Sequence, residues 1–114
     1  MKVTVRQLGG VSVIDLAGKI TIDEGDELLR RKVDELLREG RRKILLNLES
    51  VSYVDSGGVG GLAACYRETS RNNGTLKLMN PRGRVHDLLR LIRLHEVVEL
   101  FEDEQDALRS FSDH

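Results

Sequence analysis

A serine set between an aspartate and a run of glycines is the place where residue types and spacing point to chemistry. The stretch is Tyr53-Val54-Asp55-Ser56-Gly57-Gly58-Val59-Gly60-Gly61-Leu62. An apolar run of strand length, Lys43-Ile44-Leu45-Leu46-Asn47-Leu48, precedes it. Apolar residues at Val59, Leu62, Ala63 and Tyr66 follow at helical spacing. The segment therefore reads as strand, short loop, and a helix that opens at Ser56. Ser56 is placed as the N-cap, its hydroxyl accepting from a backbone N–H two or three residues on. Gly57, Gly58, Gly60 and Gly61 fall in the first turns, where each costs roughly 1 kcal/mol relative to alanine. Close packing of the helix on another element, or close approach of a partner to its N-terminus, must offset that cost.

Catalytic and cofactor chemistries fit poorly. Ser56 has no evident general base, and Val54 stands where Gly-Xaa-Ser-Xaa-Gly needs its first glycine. Gly58-Val59-Gly60-Gly61-Leu62-Ala63 formally matches the dinucleotide fingerprint. However, its glycines lie within the helix, not in the turn before it. The next strand also ends in Leu78-Met79-Asn80 without a ribose-binding carboxylate. No Gly-Lys-Ser/Thr marks a phosphate loop. Weak purine-nucleotide binding remains an expectation, because helix N-termini attract phosphates. His86, His95 and His114 have no metal-ligand spacing and read as surface or helix-terminal residues. Cys65, beside Ala63, Ala64 and Tyr66, reads as a small buried hydrophobe with no nearby base to activate it.

The elements that must position Ser56 follow from the pattern. Val3, Val5 and Leu8, then Gly9-Gly10, then Val11 to Leu16 predict a hairpin. Gly18-Lys19-Ile20-Thr21-Ile22 predicts a connection. A helix is expected from about Asp23, with Leu28, Leu29, Val33, Leu36 and Leu37 inward and Gly40 as its left-handed stop. Its charged face reads as solvated. The Ser56 helix is expected to stop at Asn72-Asn73-Gly74. A strand over 75–79, a loop at Asn80-Pro81-Arg82-Gly83 and a helix carrying Val85, Leu88, Leu89 and Ile92 follow. Val97 to Phe101 reads as a short strand or extended segment, and Asp103 as the cap of a last helix with Ala107, Leu108 and Phe111 inward. The order predicts one α/β domain over 1–114, with a mixed, mostly parallel sheet of four to five strands and helices packed on it. Partners then meet the loops at the carboxyl ends of strands, where Ser56 lies.

Composition narrows the classes further. With 18 basic and 19 acidic residues among 114, the net charge of -1 gives no general attraction to nucleic acid or anionic membrane. A single cysteine suits a reducing cytosol. No apolar run approaches the ~20 residues of a membrane span, and Met1-Lys2-Val3-Thr4-Val5 alternates like a strand and not like a signal peptide. A cytoplasmic location is expected.

The segment Leu46-Asn47-Leu48-Glu49-Ser50-Val51-Ser52-Tyr53-Val54-Asp55-Ser56-Gly57-Gly58-Val59-Gly60 resembles the signature of STAS-domain anti-sigma factor antagonists. The remaining elements come in that family's order over nearly the whole chain. The resemblance implies a non-enzymatic binding protein in a bacterial partner-switching pathway that controls transcription. A partner that is both anti-sigma factor and serine kinase binds the unmodified antagonist, which frees the sigma factor. That partner phosphorylates the serine after the aspartate, Ser56 here, and a serine phosphatase restores it. In these terms Asp55, Ser56, Gly57, Gly58, Gly60 and Thr21 form the partner-binding surface, and no cofactor or metal is needed. Two departures stand out. Gly57 replaces the family's usual Ser or Thr, and Gly18-Lys19-Ile20-Thr21 replaces Gly-Glu-(Leu/Ile)-Asp, which removes two carboxylates near Ser56. Two other readings are a nucleotide-binding protein using the same helix terminus and a constitutive scaffold without a switch.

Overall fold

The computed structural model describes residues 1–112; His114 lies outside them. The hairpin forms as its pattern predicts. β1 (Lys2–Leu8) runs antiparallel to β2 (Val11–Ile20), and Gly9 and Gly10, at φ 56° and 82°, make the turn. Positive φ at both central residues twists the turn in the same sense as the strands it joins. β3 (Lys43–Val54), β4 (Thr75–Met79) and β5 (Leu100–Phe101) add in parallel, giving the order β1-β2-β3-β4-β5. The four helices are α1 (Asp26–Arg38), α2 (Ser56–Arg71), α3 (Gly83–Leu91) and α4 (Glu104–Ser110). A single 3-10 turn, Leu94–Glu96, precedes β5.

The two-residue period of the strands divides the core between the faces of the sheet. Ile14, Leu16, Ile44, Leu46, Leu48, Leu76 and Leu78 face α1, α2 and α3 in the larger cluster. Val11, Val13, Leu45 and Met79 face Ala107 of α4 and Phe111 at its C-terminal end in the smaller one. On the α4 side, Lys77 is buried. Its ammonium donates to the Ser110 carbonyl and Oγ at 3.2 and 2.8 Å and lies over the Phe101 and Phe111 rings. That burial is tolerated because every face of the charge finds a partner.

Three boundaries differ from the sequence reading. Gly18 to Ile20 belong to β2 and not to a connection. α1 starts at Asp26, because Thr21 to Gly25 first close a turn through Thr21 N–H to the Glu24 carbonyl at 2.6 Å. β3 continues through the expected polar loop to Val54, because it keeps pairing with β2 as far as Ile20 opposite Val54. Pairing with β4, by contrast, stops at Asn47 opposite Met79. The ends of β2 and β3 thus project past the body of the sheet as a two-stranded ribbon, and the candidate site sits at its tip.

An ion-pair network ties the hairpin to α4. Arg6 Nε donates to Asp15 Oδ2 at 2.6 Å and Arg6 Nη2 to Glu104 at 2.8 Å, while Asn47 donates to Asp15 at 2.7 Å. Partial burial pushes the Asp15 carboxyl up. The Arg6 and Asn47 hydrogen bonds outweigh it and hold the carboxyl below its ordinary 3.8. The depressed value means stability is gained above pH 4 and lost as acid protonates Asp15. Denaturant melts of Asp15→Asn should therefore show a deficit against the parent at pH 7 that shrinks below pH 4. A deficit independent of pH would contradict this assignment.

Candidate functional site

β3 delivers Val54 and Asp55 directly to the first turn of α2, with no intervening loop. Asp55 has an extended backbone, φ -99° and ψ -176°, and its Oδ1 accepts the Gly58 N–H at 2.7 Å. The cap is therefore Asp55, not Ser56 as the sequence reading has it. Both residue types cap well, and the strand's direction decides between neighbours. Ser56 becomes the first helical residue, and it is exposed. Its hydroxyl is thus not the capping group.

The glycines split into separate roles. Gly58 is buried, and a Cβ there would lie inside the contact radius of the Ile20 carbonyl oxygen. The Asp55 N–H donates to that same carbonyl at 3.3 Å. Gly58 thus locks α2 onto the end of β2 and does not belong to an open docking surface. Gly61 admits the Asp26 carboxylate at the start of α1, and Asp26 also pairs with Arg30 at 3.1 Å. Gly60 is exposed with nothing within 4 Å of an added Cβ, so the close approach to a neighbouring element is absent there.

Gly57 is half-buried and does not face open solvent. An added Cβ would come within 2.5 Å of Ile22 Cβ and 3.1 Å of the Ile22 backbone. Gly57→Ser should therefore lose on the order of 1 kcal/mol, as the Ile22 loop is pushed away. Helix propensity alone makes this change neutral or slightly stabilising. Chemical denaturation settles the sign.

The loop above Gly57 contributes a residue the sequence reading missed. Thr21 Oγ1 accepts the Glu24 N–H at 2.9 Å and donates to its carbonyl at 3.2 Å, so Thr21 shapes the turn. At its apex Ile22 is 70% exposed. An isoleucine within the polar run Thr21-Ile22-Asp23-Glu24 was the available signal, since a strand-to-helix turn has no local reason to carry one. Tyr53, on the last turn of the ribbon, is 51% exposed. Asp23 and Glu24 are exposed in the same loop. The loop thus carries two carboxylates at positions 23 and 24, of which Glu24 pairs with the Met1 ammonium at 3.4 Å.

The remaining candidates lie elsewhere. Cys65 is buried between α1 and α2, and burial pushes its thiol up to about 12, too high for a nucleophile at neutral pH. His86 sits 3.4 Å from Asp87 and 3.6 Å from Glu102. His95 lies in the 3-10 turn with Nδ1 buried. Among the described residues no group of three or more His, Cys, Asp or Glu is placed to hold a metal ion. No helix of the described residues is long and apolar enough to cross a membrane. Gly58, Gly60 and Gly61 all lie inside α2, so they do not form the phosphate-binding turn of a dinucleotide site.

An exposed serine follows a capping aspartate at one end of a mixed five-stranded sheet, in a small domain of the α/β class. The STAS domain family model matches residues 2–107, and the chain belongs to that family. It is 25% identical over 100 residues to the anti-sigma F factor antagonist of Paenibacillus polymyxa, covering 87% of this chain and 85% of that one. Its fold is similar to that of an anti-sigma factor antagonist from Mycobacterium paratuberculosis, with a TM-score of 0.85, 23% identity, and 98% and 94% of the two chains covered. It is also similar to the Bacillus cell fate determinant SpoIIAA in its phosphorylated form, with a TM-score of 0.73, 23% identity, and 96% and 99% covered.

Proposed function

We propose that this protein is an anti-sigma factor antagonist whose binding to an anti-sigma factor kinase is switched by phosphorylation of Ser56. The observation that carries the reading is the placement of Ser56. It is the first residue of α2, is exposed, and is relieved of capping by Asp55. A phosphate there adds about -1.5 to -2 charges at a helix N-terminus, where the dipole tolerates them. The fold survives while the surface gains negative charge and changes shape. The docking face consists of Ser56 and Gly60 with Ile22 and Tyr53 beside them; Asp55 positions Ser56, Thr21 positions Ile22, and Gly57 and Gly58 let the elements close beneath. A serine phosphatase completes the cycle. The likeness to the anti-sigma F factor antagonist of Paenibacillus polymyxa supports the antagonist part of this reading. The test is a pull-down from the native cell followed by phosphosite mass spectrometry. Recovery of an anti-sigma factor kinase, with phosphate on Ser56 that is lost in Ser56→Ala, is the expected result. Phosphate on another residue, or none in the presence of the kinase, would overturn the switch and leave a constitutive scaffold.

A further inference from the structure

The projecting ribbon leaves one side of β3 without a backbone partner. β4 pairs only with Lys43 to Asn47, so among the described residues nothing pairs with the β4-side edge of the segment that runs on to Val54. Ser50, Ser52 and Tyr53 of that segment are exposed. α3 runs alongside at a distance that leaves a groove of about 220 Å³, lined by Tyr53, Val54, Arg84, Val85 and Leu88. The groove is apolar apart from Arg84, which is exposed and makes no ion pair with a described residue. The neighbouring Arg82 reaches Glu49 at 3.7 Å, at the end nearer β4. Leu91, on the same side of α3 as Arg84 and Leu88 by helical spacing, is 80% exposed and extends the apolar strip.

An unpaired strand edge flanked by a helix, with an apolar slot between them, is suited to an extended peptide. We propose that the groove between β3 and α3 binds an extended segment of a partner protein by strand addition. The segment pairs its backbone with the unpaired edge where the groove opens at Tyr53 and Val54, and sets an apolar side chain against Tyr53, Val85 and Leu88. A carboxylate two residues away in the segment faces Arg84, since alternate side chains share a face. The choice of a protein segment follows from the free backbone groups, which a lipid surface does not satisfy. The choice of an acidic one follows from Arg84, the one unpaired charge in the wall. The groove shares Tyr53 with the docking face proposed above but does not include Ser56, and the proposal does not require that residue to be phosphorylated.

Selection of a random-sequence phage-displayed peptide library on the intact protein tests it, with the enriched peptide synthesised and titrated by fluorescence anisotropy. The expected peptides alternate an apolar residue with Asp or Glu. Methylation of alternate backbone nitrogens should abolish binding, and Arg84→Glu should weaken it roughly tenfold or more while leaving the melting temperature unchanged. Leu88→Lys, on the partly exposed groove wall, should weaken binding as strongly; because Leu88 also packs against the core, the variant's melting temperature falls, and the comparison is made below the melt of both proteins. The absence of any enriched peptide, or binding indifferent to both variants and to N-methylation, would overturn the proposal. So would a dimer in sedimentation that Leu88→Lys dissociates, because the groove would then belong to a second copy of the chain.

Discussion

Gly58→Ala is expected to melt roughly 10–20 °C below the parent, and Gly60→Ala, two residues on, a few degrees above it. Both glycines occupy the first turns of α2, and helix propensity alone favours alanine by roughly 0.5–1 kcal/mol at each. Packing separates them. The atom in the way at Gly58 is the Ile20 carbonyl oxygen, part of the backbone. It cannot rotate aside without disturbing the Ile20–Val54 pairing and the Asp55 N–H bond that fix the ribbon to the helix. Overpacking against backbone costs on the order of 3 kcal/mol, and each kcal/mol shifts the melting temperature of a domain this size by roughly 4–8 °C. Gly60 meets nothing, so only the propensity gain remains. Thermal melts followed by circular dichroism measure both. Equal melting temperatures for the two variants would mean that α2 is not held against β2 as described.

The second large effect is on binding. Ser56→Asp should keep the parent's stability, or gain roughly 0.3–1 kcal/mol from a negative charge at the N-terminus of α2. It should also weaken the kinase partner's binding by roughly a hundredfold, through charge and shape at the centre of the docking face. Ser56→Ala should leave both unchanged, because Asp55 and not Ser56 makes the capping bond. If Ser56→Ala lost the ~1 kcal/mol typical of a deleted cap, the role assigned to Asp55 would be wrong. Calorimetric titration and denaturant melts of the two variants separate these effects.

Much of the fold was legible because it is written locally. Gly9-Gly10 between alternating runs specifies the hairpin, the spacing of Leu29, Val33, Leu36 and Leu37 specifies α1, and Gly40 at φ 87° ends it. The features that were missed depend on residues far apart in sequence. Glu49 to Tyr53 looks like a loop because Glu49, Ser50, Ser52 and Tyr53 are polar or exposed; it stays extended because β2 remains paired beside it. Gly57 looks free because nothing in its own segment reveals that Ile22 lies across it. Ser56 and Asp55 are adjacent and equally good caps by type, and only the angle at which the ribbon meets α2 distinguishes them. The proposed docking face was half legible: its serine came from the motif, whereas Ile22 belongs to a turn whose shape no local pattern records.

Calorimetry of the cognate anti-sigma factor kinase against two preparations of the protein, one unmodified and one carrying phosphoserine at position 56 by genetic encoding, tests the central claim most directly. The unmodified protein should bind tightly. The phosphorylated protein, equally folded by circular dichroism, should bind at least roughly a hundredfold more weakly. Equal affinities for the two would contradict the switch at Ser56.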